Sequence, residues 1–465
     1  MSAKAAAMSL TVEVDAVVAF GYKQELKRSL SLFDLLAYGL VFITPLAPIP
    51  VFGIVFNASR GMVPLVYVIG LVAMTFIALS YMSMSKAFPV AGSLYTFASR
   101  SLGPVVGFFA GWAILLDYVL LPTLTYVVAA IALQAVFPAF AKPVCIIALV
   151  ICATAINYLG IETTARMSFA LLAFQLAIIA AFVVLGAAAL AHSPGLHWSL
   201  QPFFNPALVT PSLIFGALSL AVLSFLGFDA VSTLSEEARG GPATIGRATI
   251  LALVLSAGLF ILQTWIASQF LPNITALAPG NATDNAFYDI SSIVGGPVFK
   301  FILAVPGILL SSLAGALTAQ AATARLLYGM ARDGELPRML AHIDPVRKVP
   351  VNAILLTGGV TLITGIAMVD QLELLTSMVS FGALLGFLLL QVAVVAHFIV
   401  RERSRNWLRY FVVPAIGFAI IGYVLFNAEA NAKIAGTGWM IAGLLVFFIL
   451  KRGRRDPLSP RAESR

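Results

Sequence analysis

Charge is what this chain has least of. Only 10% of its 465 residues are Asp, Glu, Lys or Arg, against about a quarter in soluble domains. No polar stretch is long enough to fold as a soluble domain of its own. Cysteine and histidine are scarce too, at two and four residues. Cys145 and Cys152 share one apolar run and read as small packing residues on one helix face. No His-x-x-x-His or Cys-x-x-Cys spacing occurs, so no metal site is expected. His192, His197, His342 and His397 fall in loops or at the ends of apolar runs, which argues against a histidine proton relay. The chain also lacks a nucleophile elbow and a phosphate-binding loop, so it does not read as an enzyme, and no cofactor is expected. A cleavable signal peptide is not apparent: Glu13, Asp15 and Glu25 lie in the amino-terminal arm, and the first apolar run is too long for a signal core.

What the chain has instead is hydrophobicity, at 60% of its residues. Apolar runs long enough to cross a bilayer recur along it, near 32–57, 62–87, 104–137, 142–159, 165–191, 212–235, 247–271, 296–331, 351–369, 373–400, 410–427 and 433–451. The fold class expected is an all-α membrane protein of twelve transmembrane helices. Basic residues set the orientation. Of 28, all but Arg60, Lys142, Lys300 and Lys433 fall on one side of this pattern, which places both termini in the cytoplasm. The net charge of +8 is therefore topological. It is spread over short loops and does not form a nucleic-acid surface.

Two of the runs are interrupted near their middles. The first carries Thr44-Pro45-Leu46-Ala47-Pro48-Ile49-Pro50, and the sixth carries Ser224-Phe225-Leu226-Gly227-Phe228-Asp229. Inside a bilayer, backbone leaves the helix only where it is buried in protein or lines a cavity. Matched interruptions in two halves point to a transporter's binding site. If runs one and six correspond, runs one to ten form two five-helix halves of opposite topology, a 5+5 inverted repeat with discontinuous helices 1 and 6. The expected division is an amino-terminal cytoplasmic arm (1–31), a first repeat (32–191), a second repeat (212–400), two further helices (410–451) and a basic tail (452–465). The connector 88–104 reads as an interfacial helix capped by Ser93 and anchored by Tyr95 and Arg100. A similar cytoplasmic piece lies near 332–337.

The breaks differ chemically. Pro45, Pro48 and Pro50 have no N–H to donate, so the first break offers carbonyls, around Thr44 and Ala47, and suits a cation or an amine. The second break offers Gly227, which tolerates unusual backbone angles, beside Phe225, and the ionisable Asp229 at mid-membrane depth. The third run adds Asp117, and it places Tyr118, Pro122 and Tyr126 along one helical face, a possible aromatic wall for a cation. Glu236 and Glu237 end the sixth run, within reach of Arg247, Arg325 or Arg332 as an inner gate. Ser311 and Ser312 read first as helix-packing hydroxyls and second as sodium ligands.

Phe88-Pro89-x-Ala91-Gly92-Ser93-x-Tyr95 with Leu102-Gly103 and Gly107-Phe108 through Gly111-Trp112, and Ser224-Phe225-Leu226-Gly227-Phe228-Asp229-Ala230 through Ser235-Glu236-Glu237, resemble the signatures of the amino acid–polyamine–organocation (APC) superfamily of permeases. Leu115-Leu116-Asp117-Tyr118, Trp198 through Phe203, Arg325-Leu326-Leu327-Tyr328 and Ser380 through Leu384 are similar to bacterial putrescine importers. The resemblance spans roughly residues 28–400. It implies a LeuT-like APC fold and a proton-driven importer in the bacterial inner membrane. Two departures stand out. Such importers typically carry an aspartate where this chain has Pro50, and an Ile-Pro-Arg where it has Ile245-Gly246-Arg247. The expectation is a symporter for a small amine, putrescine or a related polyamine, coupled to protons with sodium as the alternative. An amino-acid permease or exchanger is the competing reading. Substrate contacts fall to Thr44, Ala47, Asp117, Tyr118, Tyr126, Phe225, Gly227, Asp229 and Ser380, and gating or coupling to Glu236, Glu237 and Arg325.

Overall fold

The computed structural model describes residues 26–90, 93–137, 139–193, 197–426 and 430–453. The amino-terminal arm up to residue 25, Ala91 and Gly92 of the signature, and the tail from 454 lie outside them. Among the described residues every long element is a helix: α1 (Leu32–Ile43), α2 (Pro48–Ser59), α3 (Val63–Ala87), α4 (Ser93–Leu102), α5 (Pro104–Val136), α6 (Lys142–Leu159), α7 (Ile161–His192), α8 (Pro211–Ala221), α9 (Pro242–Gln269), α10 (Ala286–Ile302), α11 (Ile308–Arg332), α12 (Val351–Ala367), α13 (Leu372–Val394), α14 (Val413–Phe426) and α15 (Ala430–Gly453). Pro48, Pro104, Pro211 and Pro242 each sit at the first position of a helix, where a missing N–H costs nothing and the fixed φ is already helical. Eight helical stretches are long and apolar enough to cross a membrane, two bent pairs qualify when taken together, and Val351–Ala367 and Lys433–Ile449 are shorter apolar helices. Each apolar run in the sequence is thus helical.

The eighth run begins earlier than its hydropathy indicates. Helix runs from Ala286, is kinked at Gly296 (φ 75°), and passes through a π-turn at Leu303–Gly307 before α11. Pro306 within that turn removes one ladder hydrogen bond. α9 packs along α3, and α5 is held between α11 and α13. α15 is fastened to α5 by a reciprocal pair of bonds: Trp112 Nε1 donates to the Trp439 carbonyl and Trp439 Nε1 to the Trp112 carbonyl, both at 2.8 Å, with the rings stacked at 4.7 Å.

Both interruptions fall where the prolines and glycine put them. α1 stops at Ile43, Thr44 takes φ 62°, and α2 restarts at Pro48 with a bend of 54°. α8 passes into a 3₁₀ turn at Val222–Phe225, Leu226 is extended, and Gly227 takes φ 111°. From there Phe228–Leu234 continues as 3₁₀ helix, and Val222–Leu234 as a whole is bent by 51° from Pro211–Leu218. The second half of this span is therefore wound more tightly than an α-helix.

The helix of the 88–104 connector is packed into protein. Ser93, Leu94, Tyr95, Thr96 and Phe97 of α4 are buried, and Tyr95 donates to Asp333 Oδ2 at 2.8 Å. The Ser93 hydroxyl meets that of Ser232 at 2.6 Å. The amphipathic signal of α4 faces protein, because the polar groups of the sixth span and of the α11 end lie against it.

Candidate functional site

A cavity of about 790 Å³ opens between the second half of the first broken span, the first half of the sixth, and α5, α11 and α13. The first break supplies much of its wall through Thr44, Leu46, Ala47, Ile49 and Pro50. From α5 the wall takes Leu121, Leu124, Thr125 and Val128, one helical stripe at i, i+3, i+4 and i+7. Polar contacts come from hydroxyls: Thr44, Thr125, Ser224, Ser311, Ser312, Thr376 and Ser380. No Asp, Glu, Lys, Arg or His is among the lining residues whose side chains the structure describes.

The expected binding residues thus divide into two groups. Thr44, Ala47 and Ser380 face the cavity. Asp117, Tyr118, Tyr126, Phe225, Gly227 and Asp229 do not line it. The stripe of α5 on the wall is offset from Tyr118 and Tyr126, both of which are buried. Phe225 packs instead against Tyr67 and Phe260, at 5.8 and 5.5 Å between ring centres.

Asp229 sits beneath the cavity with no exposure. Tyr118 donates to its Oδ2 at 2.6 Å and Tyr81 to the same oxygen at 3.4 Å. Its Oδ1 has no protein partner, and neither does either oxygen of Asp117, itself 1% exposed. Buried carboxyl oxygens are almost always partnered, so these three acceptors are available for a proton or a cation. The Tyr118 backbone is held in turn, because Thr323 donates its hydroxyl to the Tyr118 carbonyl at 2.7 Å.

The other end of the bundle is sealed by charge. Arg325 donates to both oxygens of Glu237 at 2.9 and 3.0 Å, and Arg332 to both oxygens of Glu236 at 3.1 and 2.8 Å. Arg325 and Glu237 are fully buried. Two-toothed carboxylate–guanidinium pairs fix geometry as well as charge. The chain before α1 is stitched to the same place, since Ser29 and Leu30 donate to the Glu237 carbonyl and Arg239 donates back to Leu30. Of the three arginines within reach in the sequence, Arg325 and Arg332 thus take the two glutamates. Ten residues of α11 separate Gly315 at the cavity from Arg325, about 15 Å along the helix axis.

One contributor escaped sequence reading. Gln263 of α9 donates its Nε2 to the Pro45 carbonyl at 2.9 Å, satisfying an acceptor that the proline break sets free. A glutamine in the middle of an apolar helix was the available signal, but nothing in the sequence ties it to the first break.

Residues 30–450 match the family model for amino acid permeases. The chain is 30% identical over 443 residues to the low-affinity putrescine importer PlaP of Escherichia coli, covering 93% of this chain and 96% of that protein. It is 25% identical to the branched-chain amino acid permease BcaP of Bacillus subtilis, covering 94% and 96%. To the methylthioribose transporter of Bacillus subtilis it is 26% identical, covering 92% and 94%.

Proposed function

This chain belongs to the amino acid permease family of the APC superfamily, a family of membrane transporters rather than enzymes, and we propose that it imports a small amine-bearing solute, putrescine or a related polyamine, by proton symport. The proposed topology is twelve spans in the bacterial inner membrane with both termini cytoplasmic. Residues 32–191 and 212–400 form the two inverted five-helix repeats, and two further helices follow. In this topology the cavity faces outward, and the Glu236–Arg332 and Glu237–Arg325 pairs hold the cytoplasmic gate shut. Alternating access then requires those pairs to part while the outer halves of the broken spans close.

The observation that carries the reading is Asp229, a buried acid at the second break with an unpartnered oxygen and a phenol on the other. An ammonium group is a fitting partner for such a carboxylate, because an unpaired charge there would cost several kcal/mol. Tyr118 positions the carboxylate, and Asp117 is a second acid for the far amine of a diamine or for the coupling proton. Thr44, Ala47 and Ser380 form the vestibule through which the solute arrives.

A second reading, an amino-acid permease or exchanger, is favoured by the row of hydroxyls on the cavity wall. Uptake of radiolabelled putrescine into proteoliposomes under an imposed pH gradient separates the two. Saturable, gradient-driven putrescine accumulation that excess serine, alanine or arginine leaves untouched is expected. Absence of putrescine uptake with saturable uptake of an amino acid would overturn the amine assignment.

A further inference from the structure

Phe42 stands between the cavity and the acid. It is the last aromatic of α1 before the first break, it lines the cavity floor, and it is 3% exposed. On its other side its ring packs against Gly227, where a Cβ would collide with it. It also leans on the Tyr118 ring at 6.0 Å between centres. Gly227 lies two residues before Asp229, and Tyr118 holds the Asp229 carboxyl through its 2.6 Å hydrogen bond. The Leu226 side chain completes the floor beside Phe42. Phe42 is therefore a single ring that touches the cavity on one side and two neighbours of Asp229 on the other.

We propose that Phe42 is an internal gate that keeps Asp229 out of reach of the open cavity until the ring swings aside. Resting on the proposed role of Asp229 as the amine's partner, the gate makes contact with the carboxylate a second step after entry. A solute first desolvates against hydroxyls and apolar walls, and only one that displaces the ring reaches the charge. Phe42 is then a specificity-determining residue. The ring is seated in the space left by the absent side chain of Gly227 and beside the Tyr38 ring at 6.4 Å, so swinging aside gives up both contacts. The ring also shields the Tyr118–Asp229 bond from water, which strengthens it in the low-dielectric interior.

The test needs no substrate, so its failure is distinguishable from failure of the amine assignment. The purified transporter is treated with a water-soluble carbodiimide and glycine ethyl ester, and labelling at Asp229 is followed by mass spectrometry, with Asp229→Asn as the blank. In the wild type, labelling is expected to be slow. Phe42→Ala is expected to speed it at least about tenfold, because it opens the floor. Phe42→Tyr, which keeps the ring, should stay within about twofold of the wild type, and Phe42→Leu should fall between. Equal labelling of wild type and Phe42→Ala would overturn the gate. If Phe42→Ala does not fold, Phe42→Leu labelling no faster than the wild type would do the same.

Discussion

The two broken spans do different jobs although they bend by nearly the same angle, 54° and 51°. The first is broken by prolines, and Thr44, Leu46, Ala47, Ile49 and Pro50 around its break line the cavity. The second is broken at a glycine in the left-handed region, and it turns its acid away from that cavity into a pocket of phenols. One break supplies a wall and the other a charge, with Phe42 between them. A break defined only by lost hydrogen bonds is thus insufficient to say where a ligand is recognised. Which residues surround the gap decides that.

The comparison can be broken most severely at the tail of the second break. Arg325→Ala leaves Glu237 buried and unpaired, which should cost about 3–5 kcal/mol and lower the thermal unfolding midpoint sharply in detergent. An unchanged midpoint would mean that the seal carries little energy. Gly227→Ala comes next. A Cβ there meets the Phe42 ring and forces a φ of 111° on an L-residue, so a loss of about 2–4 kcal/mol is expected from strain and overpacking. The equivalent change at the first break, Ala47→Gly, should cost far less. Differential scanning fluorimetry of the two variants checks this asymmetry.

Pro50→Asp sharpens the contrast in the other direction, by giving the first break the acid it lacks. Pro50 is exposed on the cavity wall, so the carboxylate would stay hydrated. Affinity for a diamine should rise about tenfold or less relative to a monoamine of the same length, read from competition in uptake assays. The smallest effect on transport is expected for Gln263→Leu. It strips the Pro45 carbonyl of its donor at a cost of about 1–3 kcal/mol of stability, with only a modest rise in KM and little change in maximal rate.

Much of this layout was legible in the residues. Proline at 45, 48 and 50 and glycine at 227 fix where two helices stop, because each has a backbone property no neighbour shares. Apolar runs marked every membrane-length helix, except that the eighth starts at Ala286, where a polar Asp289 and the Gly296 kink obscure it. The site was only half legible. Helical periodicity groups Tyr118 with Tyr126 on one face, yet it does not say whether that face meets the cavity or another helix, and here Leu121 and Thr125 meet it instead. The roles of Phe42 and Gln263 rest on contacts to residues at least 185 positions away in the chain, to Gly227 and Pro45 respectively, and no local pattern encodes those. The pairings of Glu236 and Glu237 likewise depend on which turn of α11 crosses the sixth span.

The central claim is that charge recognition belongs to the second break and not to the first. Equilibrium binding of radiolabelled putrescine to the purified transporter tests it, with Asp229→Asn set beside Thr44→Val. A charge-assisted hydrogen bond contributes about 1.5–3 kcal/mol, so Asp229→Asn should weaken binding about tenfold to a hundredfold, while Thr44→Val should stay within about threefold. Undiminished binding by Asp229→Asn, with the loss falling on Thr44→Val, would contradict the account.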